Sequence, residues 1–217
     1  FYFDYLSPYA YFAWRSIGKF CQEHELELCA HPIVFGKLLD HWGQLGPAEI
    51  APKREWVFKS CYRHAHINGI PFDLPKYHPF NPLTALRLSL AEVGGAQQCE
   101  IISAIFDAGW GQGKDIGDLP TLISALNERG LEGESLAART QEPAIKACLV
   151  QETAAAIERG VFGIPTAIIG EELFWGNDQL DHMALFLAGE DPLEGIQVQA
   201  LKARPRGIDR KRYVAER

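Results

Sequence analysis

The sequence predicts an α/β fold in which a βαβ unit and a ββα unit are parted by an all-helical insert. Three observations predict it. Phe1–Pro32 reads as strand, helix and strand, and a helical crossover of that length joins parallel neighbours. Val161–Asp178 reads as an X-Pro step, a hairpin and a helix start. Between them the chain shows helical periodicity and no convincing strand. The expected division is 1–35 and 160–190 for the strand-bearing part, 36–159 for the helical insert, and 191–217 for a basic extension.

Taken in order, Phe1–Tyr5 is the first strand. Ser7 suits an N-cap and Pro8 the first helical position, and the helix runs to about His24 with Tyr11, Trp14, Ile17 and Cys21 at helical spacing. Glu27–Pro32 is the second strand. From about Gly36 the pattern changes, and Pro47 and Pro52 punctuate a loop. Lys53–Asn68 is a helix with Val57, Cys61 and Ala65 on one face, stopped by Gly69. Phe72–Asn81 is a loop rich in proline and aromatic residues. Pro82–Val93 and Ala96–Ala108 are helices separated by Gly94-Gly95. Trp110-Gly111-Gln112-Gly113 carries too much glycine for regular structure, and Leu119–Asn127 and Pro143–Arg159 complete the helices. Gly160 ends the last of these by accepting positive φ. Pro165 has no N–H and belongs just before a strand. Thr166–Ile169 and Glu172–Trp175 form the hairpin around Gly170-Glu171, and Asn177 or Asp178 caps the helix that follows.

Composition narrows the function classes. The chain has 217 residues, 47% of them hydrophobic, which is ample for one or two cored domains. Its net charge of −7 speaks against a nucleic-acid surface. No apolar run approaches a membrane span, and no signal peptide is expected before the first strand. The five cysteines, Cys21, Cys29, Cys61, Cys99 and Cys148, are scattered and contain no C-x-x-C, so neither a disulfide framework nor a zinc ribbon is expected. Each is expected to be a small buried residue in a reducing cytoplasm. No metal site is expected: His64 and His66, at i and i+2, fall on different faces of their helix. The tail bears Lys202, Arg204, Arg206, Arg210, Lys211, Arg212 and Arg217, a pattern that suits a solvated extension better than a subunit contact.

The order X-Pro, hairpin, helix resembles the C-terminal half of a thioredoxin fold. In that fold the proline is cis, and the backbone of the residue before it faces the active-site cleft. The same fold keeps its chemistry at the N-terminus of the first helix, where the dipole and free N–H groups stabilise an anion. Disulfide oxidoreductases carry C-x-x-C there, whereas this chain carries Ser7-Pro8-Tyr9-Ala10. With sulfur at neither end, autonomous thiol–disulfide exchange is excluded. A serine at this place suits a thiol brought from elsewhere, whose thiolate it can stabilise by a hydrogen bond. Read alone, Ser7 favours plain capping, the commonest task of a serine before a helix.

Three motifs together sharpen the reading. Phe1-Tyr2-Phe3-Asp4-Tyr5-Leu6-Ser7-Pro8-Tyr9, Trp110-Gly111-Gln112-Gly113, and Val161-Phe162-Gly163-Ile164-Pro165-Thr166 with Phe174-Trp175-Gly176-Asn177-Asp178 resemble 2-hydroxychromene-2-carboxylate isomerases, bacterial relatives of kappa-class glutathione transferases in the DsbA-like thioredoxin superfamily. The resemblance runs to about Leu187. It implies glutathione as cofactor, usually a homodimer, and a small-molecule aromatic substrate, with no nucleic-acid or membrane partner. It also implies that Ser7, beside Pro8, activates the glutathione sulfur. Ile164, before Pro165, would offer its backbone to the cysteinyl part, and Trp175, Asn177 and Asp178 would hold the γ-glutamyl end. A zwitterionic head needs a carboxylate for its ammonium and amides for its carboxylate, and Asp178 and its turn can supply both.

Substrate residues are less determined. Ala10 stands where many relatives carry a second serine. The lysine with which some of these isomerases meet an anionic substrate aligns near Leu39, leaving Lys37 and Lys53 as candidates. Trp42, Tyr77, Phe80 and Trp110 are aromatic candidates for a pocket, with Trp110 favoured by its glycine-rich loop. The expected function is a cytoplasmic glutathione-dependent isomerase of an unsaturated aromatic keto acid. The alternatives are a kappa-like glutathione transferase and a non-catalytic thioredoxin-like module that captures extended peptides beside Pro165.

Overall fold

In a computed structural model that describes residues 1–195 and 198–208, the chain forms two compact units, Phe1–Leu180 and the described residues from Asp181 onward. The first unit is built on a four-stranded sheet of order β2-β1-β3-β4. Strand β1 (Tyr2–Phe3) runs parallel to β2 (His31–Pro32), with Tyr2 opposite His31 and Phe3 opposite Pro32. Between them lies α1 (Pro8–Glu23), so the expected parallel βαβ unit is present with shorter strands.

The insert follows as α2 (Phe35–Trp42), α3 (Ala51–Asn68), α4 (Leu83–Leu88), α5 (Ala91–Gly94), α6 (Gln98–Phe106), α7 (Leu119–Asn127), α8 (Gly133–Arg139) and α9 (Pro143–Glu158). Two of these, α2 and α8, lie where no helix was expected. The expected helix Pro82–Val93 is broken into α4 and α5 around Leu90, whose backbone is extended. Gly69, in the left-handed region at φ 62°, ends α3 as its sequence implies.

β3 (Thr166–Ile169) and β4 (Glu172–Trp175) form the expected antiparallel hairpin, with Thr166 opposite Trp175 and Ile169 opposite Glu172. β3 also pairs antiparallel with β1. The next helix, α10 (Leu180–Leu187), starts later than expected, which leaves Asn177 and Asp178 in the turn before it rather than at its cap. In the second unit α10 is followed by α11 (Val198–Lys202). Arg210, Lys211, Arg212 and Arg217 of the basic extension lie outside the described residues.

Consecutive residues of β1 point to opposite faces of the sheet, and each face is covered. Phe3 enters a large core with Tyr5, Tyr11 and Phe12 and with insert residues such as Cys61, Leu86, Ile102 and Phe106. Tyr2 joins a smaller cluster with Ile33, Leu38, Ala156, Val161 and Ile164. The insert thus shares its core with the strands. Of the cysteines, all free, Cys21 and Cys61 are buried as expected, whereas Cys29 and Cys99 are exposed and Cys148 half-buried.

Candidate functional site

The N-terminus of α1 and the hairpin meet at one cavity of about 410 Å³, within the range of roughly 300–1,000 Å³ usual for small-molecule sites. One wall is made by Ile164 and Pro165 with the turn Trp175-Gly176-Asn177-Asp178. The other is made by Tyr9 and by Trp56, Ser60 and His64 of α3.

Local bonding fixes the first wall. The Ile164-Pro165 peptide is cis. Thr166 Oγ1 donates to the Gly163 carbonyl at 2.8 Å, and Gly176 N–H donates to the Pro165 carbonyl at 3.0 Å, tying the turn to the proline loop. Among the described residues, no hydrogen bond takes up the N–H or the C=O of Ile164. The Trp175 indole lies across Gly163, where a Cβ would come within 2.5 Å of Nε1, and Phe162 meets the same ring edge-on at 5.2 Å. Gly176 has φ 124°, a conformation that side chains oppose. Asp178 is exposed, and Gln179 donates to it at 3.1 Å.

Ser7 is the N-cap of α1: its Oγ accepts from Ala10 N–H at 3.2 Å, and the residue is only 8% exposed. Ser7 and Pro8 are not lining residues of the cavity, which the S-P-Y turn reaches through Tyr9. The backbone leading to Ser7 is held at every step. Ser7 N–H donates to the Asp4 carbonyl at 3.1 Å. Asp4 is fully buried and its carboxylate accepts from Leu6 N–H at 3.0 Å and Phe35 N–H at 2.9 Å. Burial raises its pKa to about 6, against the smaller opposite effect of those N–H groups. Trp110 Nε1–H donates to the Tyr5 carbonyl at 2.7 Å. The Tyr5 hydroxyl donates to Ser89 Oγ at 2.6 Å, since Ser89 spends its own proton on the Ala85 carbonyl.

His78 completes this support. Its Nε2 lies 2.9 Å from the Leu6 carbonyl, which can only accept, so Nε2 carries the proton. Arg54 in turn donates to the His78 carbonyl at 2.8 Å. Burial, reinforced by Arg54, pushes the His78 pKa below its ordinary value, and Nδ1 is buried without a partner among the described residues. The ring is therefore a neutral donor aimed at the residue before Ser7.

The expected substrate residues fall elsewhere. Trp110 is fully buried, lies parallel to Phe72 at 5.9 Å, and does not reach the cavity. Of the glycine-rich stretch read as loop, Trp110 and Gly111 instead end a π-helical turn, Asp107–Gly111, which carries that ring inward, while Gln112 and Gly113 are irregular as expected. Lys37 is exposed on α2 and pairs with Asp40 at 3.4 Å. Lys53 is exposed in the first turn of α3, and neither lysine lines the cavity. Trp42 donates from Nε1 to the Val161 carbonyl at 2.9 Å, and Tyr77 is exposed. The lining residues missed in the sequence are Tyr9, Trp56, Ser60 and His64. The signal for Trp56, Ser60 and His64 was a stripe at i, i+4 and i+8 along α3, one residue away from the Val57-Cys61-Ala65 core stripe.

Among the described residues no three His, Cys, Asp or Glu side chains are grouped to hold a metal, and no helix is long and apolar enough to cross a membrane. Residues 1–188 match the family of DSBA-like thioredoxin domains. The chain is 32% identical over 185 residues to a 2-hydroxychromene-2-carboxylate isomerase of Pseudomonas putida, covering 83% of this chain and 89% of that one. It is 21% identical to glutathione S-transferase kappa 1 of Rattus norvegicus, covering 87% and 89%. A solved 2-hydroxychromene-2-carboxylate isomerase superposes with a TM-score of 0.77 at 28% identity, covering 91% and 97%.

Proposed function

The chain belongs to the 2-hydroxychromene-2-carboxylate isomerase family of DsbA-like thioredoxin proteins, and from that membership we propose a glutathione-dependent isomerase of an unsaturated aromatic keto acid. Its relatives are named as isomerases and as kappa glutathione transferases, all enzymes, so the chain is an enzyme and the non-catalytic module is set aside. The observation that carries the proposal is the cavity joining the sulfur-free first turn of α1 to Ile164-Pro165 and Trp175–Asp178.

The residues present fit glutathione. The N–H and C=O of Ile164, without partners among the described residues, can pair with the backbone of a cysteinyl unit as a strand would. The Asp178 carboxylate suits an ammonium, and Trp175 and Asn177 flank it on the same wall. Bound there, glutathione supplies a nucleophilic thiolate that adds reversibly to a conjugated double bond, which can rotate while it is single. Ser7 holds that sulfur ionised. Its oxygen is engaged with Ala10 N–H, and its proton remains to be donated, in line with the positive end of α1. Pro8 presets the first turn without adding a competing donor. Lys37 and Lys53 remain proposals for steering an anionic substrate, and their tests are single substitutions. A homodimer and a cytoplasmic location go with the same reading, checked by sedimentation and by cell fractionation.

The deciding experiment is a calorimetric titration of glutathione into wild type and Ser7→Ala, with thiolate absorbance followed near neutral pH. Both proteins are expected to bind. The thiolate signal should vanish only in Ser7→Ala, with turnover of 2-hydroxychromene-2-carboxylate falling roughly a hundredfold or more, as when one donor to a developing anion is removed. Failure of the wild type to bind glutathione overturns the proposal. The kappa relatives favour a second reading, a transferase with the same thiolate. Recovery of all glutathione after turnover separates the isomerase from it.

A further inference from the structure

The cavity wall opposite Ile164 and Pro165 is not used by the glutathione contacts proposed above. Trp56, Ser60 and His64 stand four residues apart and stack as one stripe along α3, and Tyr9 joins them from the first turn of α1. The adjacent stripe, Val57, Cys61 and Ala65, is buried, which fixes how the first is aimed. These groups are supported rather than merely solvated. The His64 ring packs on the buried Phe12 ring at 4.5 Å. Tyr9 and Ser60 are close enough to share a side-chain hydrogen bond, in which either hydroxyl can be the donor. One hydroxyl proton of the pair is left for a ligand whichever of the two donates.

The geometry points to Tyr9, Ser60 and His64 as the acceptor half of the site. They receive the oxygen functions of a conjugated aromatic keto acid while Trp56 covers its ring, and the Tyr9 hydroxyl donates to the carbonyl oxygen of the conjugated system. This assignment rests on the function proposed above. Thiolate addition forms a C–S bond at the far carbon of the double bond and moves the π pair onto that carbonyl oxygen. Expulsion of the thiolate returns the pair, so no oxidant or reductant is consumed. A fixed neutral donor at the oxygen stabilises the charge in both directions. Burial holds the Tyr9 phenol above its ordinary value, so the hydroxyl keeps its proton through the neutral range.

The test uses 2-hydroxycinnamate, a conjugated aromatic acid, titrated into the full chain with and without glutathione and followed by tryptophan fluorescence and calorimetry. Wild type, Tyr9→Phe and Ser60→Ala are compared, with circular dichroism as the check on folding. The wild type with glutathione is expected to bind the acid. Tyr9→Phe should weaken that binding tenfold or more while glutathione affinity stays within twofold, and Ser60→Ala should act in the same direction to a smaller extent. Equal affinity in wild type and both variants, or no binding by the wild type, overturns the assignment. A wild type that binds glutathione but not the acid sinks the acceptor half alone. Tyr9-dependent binding of the acid without any glutathione binding sinks the cofactor reading instead.

Discussion

A single hydroxyl at Ser7 can cap a helix and stabilise an anion because the two tasks use different parts of it. The oxygen accepts from Ala10 N–H, and the proton is free to be given. Replacing Ser7 by alanine should therefore cost about 1 kcal/mol of stability through the lost cap, a loss far too small to explain a collapse in turnover. Gly163 acts by what it lacks. Because a Cβ there would fall 2.5 Å from Trp175 Nε1, Gly163→Ala should push the indole off the loop. Trp175 is 53% exposed and can yield, so stability should change by less than about 1 kcal/mol. Glutathione affinity should fall about tenfold in calorimetry, and unchanged affinity would remove Trp175 from the cofactor wall. That Ile164, Pro165, Trp175, Asn177 and Asp178 share a cavity wall was legible because they fall in two short motifs joined by one hairpin, whereas Ser7 and Pro8, read for the same site, do not line it. Tyr9, Ser60 and His64 were not legible, because they become neighbours only when α1 and α3 are brought together by the core between them.

At the scale of elements, the support of the Ser7 loop comes from the helical insert. His78, Trp110 and Ser89 hold the Leu6 carbonyl, the Tyr5 carbonyl and the Tyr5 hydroxyl. His78→Phe keeps the ring that packs against Phe58 and Trp110 but abandons the Leu6 carbonyl. The expected cost is about 1–3 kcal/mol in stability. Turnover should fall about tenfold with less change in glutathione affinity, and His78→Gln, which can still donate, should recover part of it. Equal kinetics in His78→Phe and wild type would reduce His78 to a packing residue. The hairpin and the long helices were readable from β-branched runs, Gly170 and Gly69. The helix α2 was missed because Gly36 lies in its first turn, and α8 because glycine stands at its start. The π-helical turn was missed because Gly109 and Gly111 signal loop. There, burial of Trp110 and its bond to Tyr5 outweigh local propensity.

For the whole molecule, the division into 1–35 with 160–190 and an insert at 36–159 stands as a proposal about topology, and the core predicts how it unfolds. Phe3 and Tyr11 pack in one cluster with Leu86 and Ile102, so Phe1–Leu180 should melt in one calorimetric transition. Asp4 adds a pH dependence. Its folded pKa of about 6 lies above the value of 3.8 usual for the unfolded chain, so the folded state binds its proton more tightly. The stability this contributes is whole below about pH 4 and is lost as pH rises through about 6, by on the order of 3 kcal/mol. Asp4→Asn should flatten that fall between pH 4 and 7 in chemical denaturation, and an unaltered slope would sink the assignment. The absence of sulfur from Ser7-Pro8-Tyr9-Ala10 has a consequence for durability. An enzyme that carries its own reactive cysteine is killed once by an alkylating poison. With glutathione as the proposed thiol, the poison would spend itself on a diffusible tripeptide, or on Cys29 and Cys99, which lie on the surface and not on the cavity wall. The proposed catalyst is then repaired by exchange, because fresh glutathione from the pool restores the reacting atom without a new protein being made.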